Sequence, residues 1–391
     1  MSTKTVQKDI LLEDERGRGF PAVLRYGSYL FMSGSDGYRD LVTEKIVPEL
    51  ADKAIEQCRN AYGRVQKRLE RAGYSGDCAL WIENFTSGQY WRLERMALWP
   101  EYFGEEGHTR AVSFGAQTRM NGINMLTACV LAVTPDVPRV IGVAQPGRGR
   151  ASRATRVGDL AFIIGVRGHE NPRTKVKVIQ EVPEAFDAQL INCFDTLEDH
   201  MSKFGMPLDS IIRADTALRD VSQAGRYRDY VRGRFGGKVP FVGFSVGTIL
   251  GGRCEQEIGV IAAAPGVARD TLWLASEPTR AESIKVGDLV FVANSSGLTD
   301  GICGPKLRDL YGDLAGQVRQ SLDNIDAALT RRNSGLDRLL RLDLFLRDIY
   351  AEQAVIDVLK DVLGKDMPVL NVLGTDPEGG ADIEIAAIAG N

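Results

Sequence analysis

Three stretches share one pattern and decide the fold: YGSYLFMSGSDG at residues 26–37, VGDLAFIIGVRG at 157–168 and VGDLVFVANSSG at 286–297. Each stretch begins with a turn at glycine, continues as an apolar strand and ends near a second glycine. The leading glycines recur after 131 and then 129 residues. Such regular spacing predicts one structural unit of about 130 residues, present three times in the chain.

A helix is predicted after each of these strands, and the helices keep the same period. Their apolar residues recur at intervals of three and four, which predicts one stripe packed against a sheet. Gly73, Gly205 and Gly335 follow the helices, 132 and 130 residues apart, and act as stop signals. The stripe residues are Leu190, Ile191, Phe194, Leu197, Met201 and Phe204 in the second copy, and Leu314, Val318, Leu322, Ile325 and Leu329 in the third.

Each copy then continues as strand, helix, strand and strand, which predicts a fold of the α+β class. The boundaries 1–142, 143–268 and 269–391 divide the chain into the three repeats. A sheet with helices on one face leaves its other face to be covered, and three such units in a ring can cover one another. We therefore predict a pseudo-trimeric ring made by one chain, with the sheets inside and the helices outside.

The composition describes an ordinary globular protein. The 391 residues are 44% hydrophobic and 26% charged, with a net charge of −4, which gives no electrostatic footprint for nucleic acid. No apolar run is long enough for a signal peptide or a membrane span. One basic stretch is predicted to be a solvated loop, with an anion contact as the alternative: Arg148, Arg150, Arg153 and Arg156.

The cysteines and histidines favour neither a metal site nor a disulfide framework. The six cysteines lack CxxC spacing, so we expect reduced, mostly buried thiols in a cytoplasmic protein. His108, His169 and His200 lie far apart in the sequence, which gives little support to a zinc site or a Ser-His-Asp triad. We therefore predict no metal and no cofactor.

The motifs of the third copy resemble the Rid/YjgF (reactive-intermediate deaminase) family. This copy has GQVRQSLDNIDAAL at 316–329, LFLRD at 344–348, MPVLNV at 367–372 and DIEIAAIAG at 382–390. The second copy resembles the family through VPFVGF and EIGVIAA. The first copy, with NFTSG and AVSFGA, is more divergent and is similar to chorismatases, two-lobed relatives of this chorismate-mutase-like fold.

The resemblance implies clefts between neighbouring units, because the family is a homotrimer with clefts between its subunits. In the family, a last-strand glutamate positions or activates the water that attacks an imine; it matches Glu384 and Glu257, whereas the first copy has Thr127. The family's carboxylate-binding arginine corresponds to Leu370 and Val242. In the first copy Arg110 lies at this position or one residue from it, so no copy has the complete set.

Strand alternation predicts a function for the two glutamates independently of the family resemblance. In the last strand of the third copy, Glu384 shares a face with Ala386 and Ile388, and Glu257 has a similar setting. A carboxylate that loses hydration there should have a raised pKa, which suits a general acid or base near neutral pH. The alternative is a structural glutamate paired with Arg219 or Arg347.

Several other polar residues are candidates for binding a substrate in the clefts. Arg110 stands at a predicted strand start, where a surface ion pair is the alternative to ligand binding. Serine and asparagine in strands and turns more often bond to the backbone, so each of the others is weak alone. These other candidates are Asn84, Ser113, Ser245, Asn294 and Asn371.

Three functions remain open at this point. The leading interpretation is a cofactor-independent hydrolase or deaminase of a small polar metabolite, of imine, enamine or amide type, acting at an inter-repeat cleft through glutamate acid/base chemistry. The second is chorismatase-like cleavage of a carboxylated ring substrate, which requires two arginines in one cleft. The third is a non-catalytic ligand-binding protein. The expected partner is a small molecule and neither nucleic acid nor a membrane; the expected assembly is a monomer or a low-order homo-oligomer of pseudo-trimers.

Overall fold

A computed structural model of the chain shows three β-sheets and describes residues 6–88, 92–103, 116–117, 120, 122–144, 152–168, 186–248, 250 and 254–391. These residues contain six α-helices and nineteen strands. None of the helices described is both long and apolar enough to cross a membrane. The α+β class predicted from the sequence is confirmed.

The first sheet and its helices form what we call the first unit, residues 8–133. Seven strands form this sheet in the order β1-β2-β3-β7-β5-β6, and β4 pairs with β7. The elements are β1 Lys8–Glu13, β2 Pro21–Tyr26, β3 Tyr29–Met32, β4 Ser35–Asp36, α1 Ala54–Arg71, β5 Ala79–Thr86, α2 Arg92–Phe103, β6 Ala116–Gln117 and β7 Leu126–Val133.

The second unit, residues 139–263, and the third unit, residues 269–390, contain one six-stranded sheet each. The second has β8 Arg139–Ala144, β9 Ser152–Val157, β10 Leu160–Arg167, α3 Phe186–Ser202, β11 Ile211–Leu218, α4 Ala224–Arg234, β12 Ser245–Gly247 and β13 Gln256–Ala263. The third has β14 Arg269–Trp273, β15 Ala281–Val286, β16 Leu289–Ser295, α5 Leu314–Thr330, β17 Leu339–Leu346, α6 Glu352–Leu363, β18 Val369–Gly374 and β19 Ile383–Gly390.

The three sheets share one strand order. The second is β8-β9-β10-β13-β11-β12 and the third is β14-β15-β16-β19-β17-β18, which match the path of the first. In each, the last long strand lies in the middle, between two strands that precede it in the chain. The second sheet begins at Arg139, a few residues before the repeat boundary expected from the sequence.

The helix ends differ from the prediction in the third unit. Gly73 and Gly205 have φ of +87° and +67°, so they take the left-handed conformation after α1 and α3. Asn333, with φ of +57°, takes this conformation after α5, and Gly335 does not. Asparagine can adopt the left-handed conformation at little cost, so Asn333 takes the role that the glycine spacing predicted for Gly335, two residues later. Ile191 was also wrong as a stripe residue, because it is 45% exposed.

Buried ion pairs join the three units. Glu83, Asp215 and Asp343 occupy the same position in β5, β11 and β17, and all are buried. Arg213 donates to Asp215 at 2.8 Å and to Asp343 at 2.7 Å, which links the second and third units. Arg341 donates to Asp343 at 2.7 Å and also to Glu83, which links the third and first units. Removing one partner of such a network typically costs about 3–5 kcal/mol, because a charge is left buried and unpaired.

The network ends at a tryptophan. Trp81 stands in β5 where β11 and β17 have arginine, and its ring lies 5.5 Å from that of Phe162 in the second unit. Three carboxylates therefore share two guanidinium groups. Burial raises the pKa of Asp215, and the charge of Glu83 adds to the rise. Burial also acts on Asp343, but the two arginines outweigh it and lower the pKa of that carboxyl group.

An apolar cluster also brings the three sheets together. Phe85, Ala217 and Phe345 occupy the same position in β5, β11 and β17, and all three lie in one buried cluster. Within it the rings of Phe244 and Phe345 lie 4.2 Å apart, across the boundary between the second and third units. Each sheet therefore has residues that are buried by the other two.

Candidate functional site

A cleft lies between the second and third units; we call it cleft 2–3. The second unit contributes the α4 helix and residues 239–245, and the third contributes residues at the start of β15, the end of β16 and the loop after β18. Ser245 and Asn294, two residues singled out in the sequence, both line it. Its polar lining residues are Tyr227, Arg228, Ser245, Arg280, Asn294 and Glu378.

Glu384 lies directly behind the wall of cleft 2–3. Its Oε2 atom accepts a hydrogen bond from Asn294 Nδ2 at 3.1 Å, and its Oε1 atom accepts one from the backbone N–H of Glu378 at 3.0 Å. The residue is only 2% exposed. Burial raises the pKa of Glu384 to about 8, and the nearby charge of Glu378 contributes to the rise. A group with this pKa can both donate and accept a proton near neutral pH.

Two arginines in cleft 2–3 were not singled out in the sequence. Arg228 forms a two-pronged ion pair with Glu378, with contacts of 2.5 and 2.6 Å. Arg280 donates from Nη1 to Cys303 Sγ at 2.7 Å, and among the described residues it forms no ion pair. Arg228 lies in α4 and Arg280 lies directly before β15. The resemblance to the family implied an arginine elsewhere, two residues after the proline of VPFVGF or MPVLNV. The residues there, Val242 and Leu370, are buried and aliphatic.

A second cleft lies between the third and first units; we call it cleft 3–1. Thr127 lines it from the position in β7 that Glu384 has in β19. Thr127 Oγ1 accepts a hydrogen bond of 3.0 Å from Asn124. The other charged and polar residues of this cleft are Arg16, Arg18, Asp36, Tyr38 and Glu352.

Glu257, the second residue of β13 in the second unit, has a different setting. It is 2% exposed, and Arg167 donates to its Oε2 atom at 2.5 Å. The expected alternative of an ion pair is thus present, but with Arg167 and not with Arg219. Gly165 is close to the Glu257 carboxylate, since a Cβ atom there would come within 2.6 Å of Oε1. Arg110 and Ser113 lie outside the described residues.

The last two candidates do not line either cleft. Asn84 is fully buried, and its Oδ1 atom accepts a hydrogen bond of 2.8 Å from the Tyr62 hydroxyl under α1. Asn371 donates to Asp343 at 2.8 Å and so belongs to the buried ion-pair network. Their contacts are with the interior of the protein.

The thiols and acids offer little for metal binding. All six cysteines are free, and five of them are buried. Within the part of the chain that the structure describes, no group of three or more His, Cys, Asp or Glu side chains could hold a metal ion. The groups that line cleft 2–3 or contact its lining are carboxyl groups, two guanidinium groups, an amide, two hydroxyl groups and a thiol.

Comparison with known proteins places the chain in a family. The family model described as endoribonuclease L-PSP matches residues 276–390. The mitochondrial protein Mmf2 of Schizosaccharomyces pombe is 30% identical over 112 residues, which are 28% of this chain and 84% of that protein. The chain belongs to the Rid/YjgF family, as the motifs of its third copy indicated.

Two solved structures extend the comparison. A chorismatase structure superposes with a TM-score of 0.52 and 14% identity, and the match covers 80% of this chain and 93% of that one. This likeness concerns the fold. A member of the YjgF/YER057c/UK114 family from Mycobacterium tuberculosis is 25% identical over 32% of this chain and 100% of its own, with a TM-score of 0.26. Because the curated relative is named as mitochondrial, the cytoplasmic location expected here stays a prediction.

Proposed function

We propose that the chain is a cofactor-independent hydrolase or deaminase of a small polar metabolite with an imine, enamine or amide group, and that cleft 2–3 is its active site. The observation that supports this most is Glu384. It is a buried acid with a pKa raised to about 8, held by two hydrogen bonds directly behind the cleft wall. Family membership agrees with hydrolysis of a reactive nitrogen compound.

For an imine, the proposed reaction begins with the acid form of Glu384. The carboxyl group protonates the imine nitrogen, and the resulting iminium carbon becomes a better electrophile. The carboxylate that remains takes a proton from water as the water oxygen bonds to that carbon. Glu384 returns that proton to the nitrogen of the tetrahedral intermediate, the C–N bond breaks to release ammonia as the carbonyl forms, and the carboxylate takes the hydroxyl proton, which restores the acid form. Asn294 and the backbone of Glu378 hold the two oxygens of Glu384, so this reaction requires one of them to move and expose the carboxyl group to the cleft.

The three units are proposed to form the closed pseudo-three-fold ring that the repeat predicts. Contacts between each pair of units support this arrangement. Arg213 bonds to Asp343, Arg341 bonds to Glu83, and Trp81 packs against Phe162. Such a ring would give the chain its clefts without help from a second copy.

A second candidate function is chorismatase-like cleavage of a carboxylated ring substrate. Cleft 2–3 has two arginines, Arg228 and Arg280, which is what two carboxylates on one substrate would require. In this reaction Glu384 would act as the proton donor. The fold of the chain, which is similar to that of a chorismatase, agrees with this possibility.

The experiment that tests the proposal compares Glu384→Gln with Glu257→Gln. Each substitution preserves the shape of the side chain and replaces its carboxyl group with an amide that cannot exchange a proton near neutral pH. Ammonia release from a 2-imino acid generated in the assay would measure turnover, with circular dichroism as the check on folding. We expect Glu384→Gln to lower the rate by about 10²–10⁴-fold, the usual contribution of a general acid or base. Parent-like rates in both variants would exclude glutamate chemistry.

A further inference from the structure

The charges that line cleft 2–3 do not balance. Among its described lining residues, Arg228 and Arg280 are cationic and Glu378 is anionic. Glu378 neutralises Arg228 through the two-pronged ion pair, in which both side chains are largely shielded, with 23% and 33% exposure. Arg280 has a thiol as its hydrogen-bond partner and forms no ion pair among the described residues, although its charge acts on the nearby Glu384 and lowers the pKa of that group against the effect of burial. One positive charge in the cleft is therefore left for a ligand.

Glu378 is held over the cleft by its backbone. It lies in the loop between β18 and β19, where Gly379 and Gly380 have φ of +69° and +86°. The preceding Asp376 forms a backbone bridge with Gly247 of the second unit, with hydrogen bonds of 2.8 and 2.9 Å. The loop is thus anchored to both units, and the Glu378 side chain reaches Arg228 as a carboxylate of a ligand would.

We propose that Glu378 sets the charge of the ligand, so that cleft 2–3 accepts one carboxylate at Arg280 and excludes a second one from Arg228. The inference deepens the proposed function, on which it rests, by naming the substrate class as monocarboxylates. A dicarboxylate would have to displace Glu378 from Arg228 and leave that glutamate without its partner. Glu378 is then a specificity-determining residue, and it favours the first candidate function over chorismatase-like cleavage.

Calorimetric titration with two stable probes tests this inference. Pyruvate is the monocarboxylate, and malonate is a dicarboxylate of similar size. Each charged contact corresponds to roughly ten- to a hundredfold in affinity, so native protein should prefer pyruvate by at least about tenfold. Glu378→Gln keeps the backbone N–H that holds Glu384 and should shift the ratio of the two affinities toward malonate by about tenfold or more. Arg280→Gln should weaken pyruvate binding by at least about tenfold.

A matched control is the exposed pair of Arg319 and Asp361, 50% and 66% exposed, which lies on α5 and α6, two helices that do not line the cleft. Arg319→Gln should leave both affinities unchanged. An unchanged affinity ratio in Glu378→Gln, with the variant folded by thermal unfolding, would overturn the inference, as would the absence of measurable binding of either probe to native protein. The titration involves no turnover. A chain that selects charge as expected but hydrolyses no imine would contradict only the proposed function.

Discussion

Cleft 2–3 and cleft 3–1 are built from equivalent strands, yet their side chains differ in kind. The second position of the last strand is Glu384 in the third unit and Thr127 in the first. In cleft 3–1, Arg18 is paired with Asp14 at 3.1 Å and Glu352 at 2.8 Å. In cleft 2–3, Arg280 forms no ion pair among the described residues. Cleft 2–3 thus combines a glutamate in the last strand with an arginine that forms no ion pair among the described residues, whereas cleft 3–1 has a threonine in the last strand and a paired Arg18.

This difference shows what a fused chain permits. In a homotrimer every cleft must carry the same residues, because one sequence builds all three. Here the strands, the ion-pair network and the apolar cluster preserve the scaffold, whereas each cleft has its own side chains. The acid can then be retained where it is used and replaced by a hydrogen-bonded threonine elsewhere.

The largest expected effect comes from filling the two clefts separately. Ser245→Trp places a bulky ring in cleft 2–3, and Met120→Trp does so in cleft 3–1. If chemistry is confined to cleft 2–3, the first variant should lose at least about a hundredfold in turnover, since reacting groups lose their alignment. The second should stay within about twofold of the native rate. Similar losses in both variants would show that the clefts are not specialised in this way.

Stability should depend on pH through Glu384 and not through Thr127. The pKa of Glu384 in the folded protein, about 8, exceeds the usual 4.5, so the folded protein binds this proton more tightly than the unfolded chain does. Stability therefore falls as pH rises from about 4.5 to 8, at roughly 1.4 kcal/mol per pKa unit of difference. Glu384→Gln should remove this loss and gain up to a few kcal/mol relative to native protein at pH 9.

The measurement is the free energy of unfolding by urea at pH 5 and pH 9. Thr127→Val serves as the control, because it alters the equivalent position without a titrating group. The difference between Glu384→Gln and native protein should grow between the two pH values, whereas that of Thr127→Val should not. If Glu384→Gln differed from native protein by the same free energy of unfolding at both pH values, the carboxyl group of Glu384 would not be the cause of the pH dependence.

The sequence predicted the α+β class and the long strands closely. The last strands of the second and third units, 256–263 and 383–390, were expected within one residue, because continuous apolar runs bounded by turns are an unambiguous pattern. The first strands of the units, such as β1 and β14, were missed. Their residues are half exposed and carry charges, so no apolar run marks them.

The candidate site was predicted less completely. Glu384, Asn294 and Ser245 were identified from strand position and residue type, and the structure places all three in or behind cleft 2–3. Arg228 and Arg280 were not identified, since an arginine in a helix rich in arginines, or one directly before a strand, gives no sign of facing a neighbouring unit. Contacts between units depend on how whole sheets pack, which no local pattern records.

Turnover should fall at high pH if Glu384 acts first as an acid. With a pKa of about 8, the carboxyl group is mostly protonated at pH 7 and mostly ionised at pH 9. The rate should then decrease by about tenfold for each pH unit above 8, as the acid form disappears. Measuring kcat/KM from pH 6 to pH 10 checks this. A rate that increases through pH 8 would indicate that the carboxylate begins the reaction as a base.

The smallest effect should come from replacing the asparagines that donate hydrogen bonds to Glu384 and Thr127, the equivalent residues of the two last strands. Asn294 donates to Glu384, and Asn124 donates to Thr127 at 3.0 Å. The Asn294 hydrogen bond stabilises the carboxylate, so Asn294→Ala should raise the pKa of Glu384 further. We expect a rate loss of about tenfold, typical of one hydrogen bond to a charged group, together with a pH profile shifted to higher pH. Asn124→Ala should change neither, because Thr127 does not titrate and its cleft has no part in the reaction. A merely structural Asn294 would lower the rate without moving the profile, and that result would separate support of the fold from control of the acid.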